Sequence, residues 1–204
     1  MMFIDGLGAL ATSITCWYDR VRMTLPCLPH MSNNSTVYHG YNRNGPTHGE
    51  VKWFKDEPVL VEVGARCHGA EGSWVEVTNS VLGYNQAECA IDSYLDTDAF
   101  DVMSPAPSQR FSYGRVLFIV VNSSGTLTSI DPEYTKEIMA MSSIVHLEYF
   151  LKIGQEFNPT IDCFTFGGLV KLVNKDLKQL TTDYERIRTM ELETAEGRAW
   201  FQGK

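Results

Sequence analysis

At 204 residues the chain is long enough for one large domain or two small ones, and a globular fold of this size buries roughly 70% of its unfolded surface. Apolar residues at 44% and charged residues at 21% are ordinary soluble proportions, which argues against a fibrous repeat or a disordered chain. The formal charge of -8 comes without clustered Lys and Arg, so a nucleic-acid surface is not expected, and a free anion such as a nucleotide would need a cation to help it bind.

The stretch from Met1 to Cys16 is mildly apolar, but Asp5 interrupts it and no basic segment precedes it, so it does not have the pattern of a signal peptide. The longest strongly apolar run, Val116 to Val121, is far short of the roughly 20 residues a membrane helix needs. Cys16, Cys27, Cys67, Cys89 and Cys163 are odd in number and form no CxxC pair, which fits structural thiols in a reducing, cytoplasmic compartment. Asn33-Asn34-Ser35-Thr36 and Asn122-Ser123-Ser124 match glycosylation acceptors by pattern, but without a secretory route they are polar loops.

In chain order, Ile14 to Tyr18 has the composition of a strand, and Leu25 to Gly45, rich in Pro, Asn, Ser and Gly, that of a loop. A loop of about 20 residues is unusual inside a compact domain and points to a functional loop or, preferably, a missing element. His48 to Phe54 and Val59 to Ala65 are β-rich around the turn chemistry of Lys55-Asp56-Glu57-Pro58, which predicts a hairpin. Tyr84, Ala87, Ile91 and Tyr94 recur at helical spacing, predicting a helix over 84–95 with Asn79 or Ser80 as its cap.

Arg115 to Val121 and Thr126 to Ile130 flank Asn122-Ser123-Ser124-Gly125, predicting a second hairpin, and further strands are expected near Ile144 to Tyr149 and Leu169 to Val173. A last helix is expected from about Asp183, where Tyr184, Ile187, Arg188 and Met190 fall at suitable offsets and Thr181, Thr182 and Asp183 offer caps. There is no internal repeat. Runs of strands with a few helices, rather than strict alternation, indicate an α+β fold with a mostly antiparallel sheet.

The chemistry concentrates in Asn44-Gly45-Pro46-Thr47-His48-Gly49-Glu50 and in Val59-Leu60-Val61-Glu62-Val63-Gly64-Ala65-Arg66-Cys67-His68-Gly69. If the turn between Phe54 and Val59 has an odd loop length, three or five residues, Glu50 falls directly opposite Glu62, with Cα atoms about 4.5 to 5.5 Å apart. Two like charges so opposed destabilise a sheet, and an ionised Glu62 on a strand as apolar as Leu60, Val61 and Val63 is costly without a partner. Lys52 or Arg66 could supply the positive charge. Mg²⁺ is the sharper candidate, because it is held by one or two carboxylates together with substrate phosphates. Arg66, four residues beyond Glu62, offers a fork of donors for phosphate oxygens or an oxyanion, and glycines at 69 and 72 let backbone amides approach an anion.

The run from Gly45-Pro46-Thr47-His48 through Glu50 to Glu62, Arg66 and Gly69 resembles the C-terminal metal-binding segment of ATP-grasp enzymes, particularly amino-acid ligases that join a carboxylate to an amine. The resemblance continues more weakly through Gly83 to Asp183-Tyr184-Glu185-Arg186-Ile187-Arg188. It implies the C-terminal half of an ATP-grasp fold, with residues 1–95 carrying the metal-binding hairpin (48–65) and a helix, and residues 96–204 forming a β-rich C-terminal subdomain. It also implies Mg²⁺ (or Mn²⁺) bound by Glu50 and Glu62, ATP as cosubstrate, and small-molecule carboxylate and amine substrates. Arg66 would steady the acyl phosphate and the tetrahedral intermediate, and His68 and Gly69 would lie at the substrate pocket. Two departures stand out: Gly64 replaces the Asn that many of these enzymes place two residues after the second Glu, and only 49 residues precede Glu50, so the N-terminal domain and lysine-bearing subdomain are expected to be lacking.

Simpler alternatives remain for each residue. Glu50 and Glu62 could be ordinary acids of a solvated hairpin edge, and Arg66 a surface ion-pair partner. His48, His68 and Glu50 could form a zinc site, although no HExxH spacing is present. Cys67 is expected to be a structural thiol, and Trp17, Trp53 and Trp74 to be core or rim aromatics. A truncated, non-catalytic derivative that keeps only metal, nucleotide or partner binding is the competing functional class, and uncovered apolar surface would then favour self-association.

Overall fold

The computed structural model describes residues 3–5, 11–16, 46–54, 57–103, 109–193 and 200–204. Two compact units divide the chain, one within residues 10–111 and the other over 112–204, with the first few residues shared between them.

In the 10–111 unit, β2 (Ala11–Cys16), β3 (Thr47–Phe54) and β4 (Glu57–Gly64) form an antiparallel sheet in the order β2-β3-β4. Pro58 is tolerated in β4 because, among the described strands, β4 lies at the edge of its sheet, where a missing amide leaves no inner ladder bond unmade. The pairing corrects the loop-length argument. Phe54 pairs with Glu57, so the connection holds two residues, Lys55 and Asp56, which lie outside the described set. An even connection alone would set Glu50 against Val61. A register shift between Glu50 and Val51 supplies the odd residue instead: Val51 pairs with Leu60, whereas Glu50 pairs with Glu62. The expected 25–45 loop also lies largely outside the described residues.

After a 3₁₀ turn at Ala70–Gly72 come α1 (Val75–Leu82), α2 (Gln86–Leu95) and α3 (Thr97–Asp101). Asn79 and Ser80, expected to cap a helix over 84–95, lie inside α1. Gly83 ends α1 in the left-handed region, at φ 82°, and Asn85 caps α2 by accepting from the amides of Ala87 and Glu88. Asn85 also donates through Nδ2 to Asn79 Oδ1 at 2.9 Å, so the corner between the two helices is itself bonded.

The 112–204 unit contains β5 (Tyr113–Ile119), β6 (Gly125–Ile130), α4 (Pro132–Ala140), β7 (Ile144–Tyr149), β8 (Glu156–Phe157), β9 (Gly168–Asn174), α5 (Leu177–Glu193) and β10 (Phe201–Gly203). With β1 (Phe3–Asp5) they make a sheet ordered β1-β5-β9-β7 and a smaller one ordered β10-β6-β8. The predicted hairpin between β5 and β6 does not form: β5 pairs with β9, and β6 with β10 and β8. The chain leaves β5 because the Val120 amide donates to Glu191 Oε1 and the Val121 amide to Thr160 Oγ1, so neither continues a two-stranded ladder.

Helix α5 packs on β5 and β9. Leu180, Ile187 and Met190 form one stripe at helical spacing and meet a core that includes Leu117, Ile119, Val170 and Leu172. Full burial of such a side chain contributes about 1.5–3 kcal/mol. The helix starts earlier than expected, at Leu177, where the Asp176 side chain accepts from the Lys178 amide at 2.8 Å. Thr181, Thr182 and Asp183 are interior. Asp183 is buried because it accepts from the Ser143 amide at 3.1 Å and from Gln179 Nε2 at 2.8 Å. Helix α4 carries an Asp-Pro start, with Asp131 accepting from the Glu133 amide at 2.8 Å.

Candidate functional site

The site grows from the β3–β4 ladder. Directly opposed positions of an antiparallel pair share a face, so the Glu50–Glu62 register places two acidic residues side by side on it. His48 and Gly64 form the next pair along the strands. Beyond Gly64 the backbone leaves the sheet, and the segment 65–69 crosses toward α1 and α2.

Arg66 is exposed, and its Nη1 donates to the Cys67 carbonyl at 3.1 Å. Its side chain folds back over two glycines. A Cβ at Gly64 would lie 3.4 Å from both Arg66 Cγ and Nε, and one at Gly69 would lie 3.8 Å from Nη1. The Arg66 side chain thus lies in ordinary van der Waals reach of position 64 at the strand exit, a closeness that the sequence shows only as a departure at Gly64.

His68 is half-buried among aromatic neighbours. Its ring centroid lies 4.7 Å from that of the buried His48, with a 36° tilt, and 5.6 Å from Trp74 in an edge-on arrangement. Burial foremost, then the neighbouring His48 and Arg66, pushes the His68 imidazole down to about 4. It is therefore neutral at neutral pH, and the positive charge of this loop belongs to Arg66. Burial also pushes the Cys67 thiol up, and the Cys89 thiol up to about 12, so neither offers a ready thiolate.

Two residues outside the motif hold the loop. The His68 amide donates to Gln86 Oε1 at 2.7 Å, and Trp74 Nε1 donates to the Gly69 carbonyl at 2.8 Å. The sequence carries a signal for neither: the spacing puts the cap at Asn79 or Ser80 rather than beside Gln86, and Trp74 reads as a core or rim aromatic. Next, Ala70, Glu71 and Gly72 all take left-handed backbone, at φ 57°, 51° and 74°, in a turn closed by the Ser73 amide on the Ala70 carbonyl. Non-glycine residues in this region cost roughly 1–2 kcal/mol each, a local strain of the kind that accompanies binding loops.

Among the residues whose side chains are described, no group of three or more His, Cys, Asp and Glu converges as a metal site, and Glu50 and Glu62 are not in that set. No described helix is long and apolar enough to cross a membrane.

No protein-family model and no curated protein matches the chain. Solved structures do. An L-amino acid ligase from Bacillus licheniformis superposes with a TM-score of 0.63 at 18% identity, over 83% of this chain and 43% of that one. A phosphoribosylglycinamide synthetase from Anaerococcus prevotii does so with a TM-score of 0.53 at 14% identity, over 79% of this chain and 39% of that one. The fold is thus a partial ATP-grasp fold of helices and antiparallel sheets, consistent with the C-terminal portion of the carboxylate–amine ligases. The chain spans less than half the length of either of these proteins.

Proposed function

We propose that this chain supplies the metal- and phosphate-facing part of an ATP-grasp ligase. The reaction couples a carboxylate, of an amino acid, to an amine. ATP phosphorylates the carboxylate to an acyl phosphate with release of ADP, and the amine then displaces phosphate to leave an amide. The observation that carries this reading is the direct Glu50–Glu62 register, with Arg66 folded at the exit of the same strand. Two opposed acidic residues repel unless a cation lies between them, and oxygen donors of this kind suit Mg²⁺ or Mn²⁺. Glu50 and Glu62 would hold that ion, which when bound neutralises and orients phosphate oxygens.

Arg66 would stabilise the charge that develops on the acyl phosphate and the tetrahedral intermediate, through a guanidinium that keeps its charge throughout. His68 and Gly69 flank that position, and neutral His68 adds no competing charge. Isothermal titration with ATP, with and without Mg²⁺, tests the reading. The expected result is binding that needs the metal and is lost in Glu50→Gln and Glu62→Gln. Nucleotide binding that is indifferent to Mg²⁺ and to both substitutions would sink it. Metal-dependent binding without ADP release when carboxylate and amine are added would select the non-catalytic alternative.

A further inference from the structure

We propose that Gln86 and Trp74 are positioning residues for the Arg66–Gly69 loop: Gln86 by accepting the His68 amide proton and Trp74 by donating to the Gly69 carbonyl. The proposal deepens the ligase reading and rests on it, since it is that reading which makes the loop face phosphate.

The two bonds grip consecutive residues from different helices. Gln86 opens α2 and is 1% exposed, yet it is not needed as the cap, because Asn85 already accepts the amides of Ala87 and Glu88. Its carbonyl oxygen instead meets a backbone amide 18 residues earlier in the chain, at 2.7 Å. Trp74 is 3% exposed and sits at the start of α1, where its own carbonyl accepts from both the amide and the hydroxyl of Thr78, at 2.8 and 2.9 Å. Both anchors are therefore rooted in helix starts, and the Asn85–Asn79 bond ties the start of α2 to the body of α1.

The consequence falls on the guanidinium. Arg66 lies two and three residues before the gripped positions, and its Nη1 approaches Gly69. The two peptide groups are fixed against rotation, so the side chain that folds over Gly64 and Gly69 keeps one surface to rest on. The left-handed turn at 70–72 lies between Gly69 and Trp74, so the Trp74 bond also closes that strained turn onto α1.

A purely packing role for Gln86 would be met by any side chain of its shape, whereas a positioning role needs the acceptor oxygen. Gln86→Met keeps the shape and removes the acceptor, and Gln86→Glu keeps the acceptor. In the 204-residue chain, amide hydrogen exchange at His68 and Mg²⁺-ATP affinity by titration are measured together. The expected result for Gln86→Met is exchange faster by about tenfold and affinity weaker by about tenfold, the scale of one hydrogen bond, with Gln86→Glu restoring both to within about threefold. Trp74→Phe, which keeps a ring and removes the N–H, is expected to weaken affinity in the same way, and it decides the question if Gln86→Met does not fold.

Unchanged exchange in Gln86→Met, or faster exchange with wild-type affinity, overturns the proposal, as does a Gln86→Glu chain that loses as much as Gln86→Met. Wild-type chain that binds no Mg²⁺-ATP refutes the ligase reading instead, and the exchange comparison then still reports whether Gln86 holds the loop.

Discussion

Glu191 and Arg188 offer a demanding test of how the 112–204 unit is held together. Glu191 is 5% exposed; its Oε1 accepts the Val120 amide at 2.8 Å, and both its oxygens lie 2.9 Å from Arg188 Nη1. Arg188 also donates to the Phe118 carbonyl at 3.1 Å and lies over the Tyr184 ring, 5.4 Å from its centroid. Burial pushes the Glu191 carboxyl up from its ordinary value, while Arg188 and the Val120 amide pull it back. Glu191→Ala strands a guanidinium and an amide and should cost about 3–5 kcal/mol. Glu191→Gln keeps an acceptor for Val120 and should cost about 1–3 kcal/mol. Arg188→Met strands the carboxylate, but combining it with Glu191→Gln removes both charges. The double variant should then lose less than the sum of the singles by about 1–3 kcal/mol. Urea unfolding read segment by segment through hydrogen exchange resolves this unit from the other. Costs that add to within about 0.5 kcal/mol, or a Glu191→Ala cost below about 1 kcal/mol, would refute the argument that the pair is coupled and buried.

Three further outcomes follow from particular residues. Because the folded His68 imidazole is depressed to about 4 from an unfolded value near 6.5, its contribution to stability is complete above about pH 6.5 and is lost as pH falls toward 4. An NMR titration midpoint near 6.5 contradicts this, and His68→Gln should flatten the pH dependence of amide protection in the 66–74 segment. Glu71→Gly and Ala70→Gly relieve left-handed backbone and should each raise stability by up to about 1 kcal/mol, seen as a higher urea midpoint. A lower midpoint would mean that the lost side chain makes a contact worth more than the strain. Gly168→Ala should cost about 1–3 kcal/mol or more, because its Cβ would come within 2.3 Å of the Glu148 carbonyl in the β7–β9 ladder; a wild-type melting temperature would count against that register.

What the sequence by itself determined was local: the α+β character, the β3 and β4 strands, β7, β9, the existence of α2, though its predicted stripe residues Ile91 and Tyr94 are exposed and Gln86 and Cys89 are buried instead, and the α5 stripe through Ile187 and Met190. Each is written in side-chain period or in cap and turn chemistry acting over a few residues. The motif residues from Glu50 to Gly69 were equally visible as a string. The tertiary structure decided which strands pair, so that β5 joins β9 rather than its neighbour β6, through the hold of Glu191 and Thr160 on two amides. It also decided that one extra residue in β4 sets Glu50 against Glu62, and that Gln86 and Trp74 grip the loop beyond. Those outcomes depend on which backbone groups find partners from distant segments. A hydrogen bond made across 18 or 71 residues leaves no period in the chain to announce it.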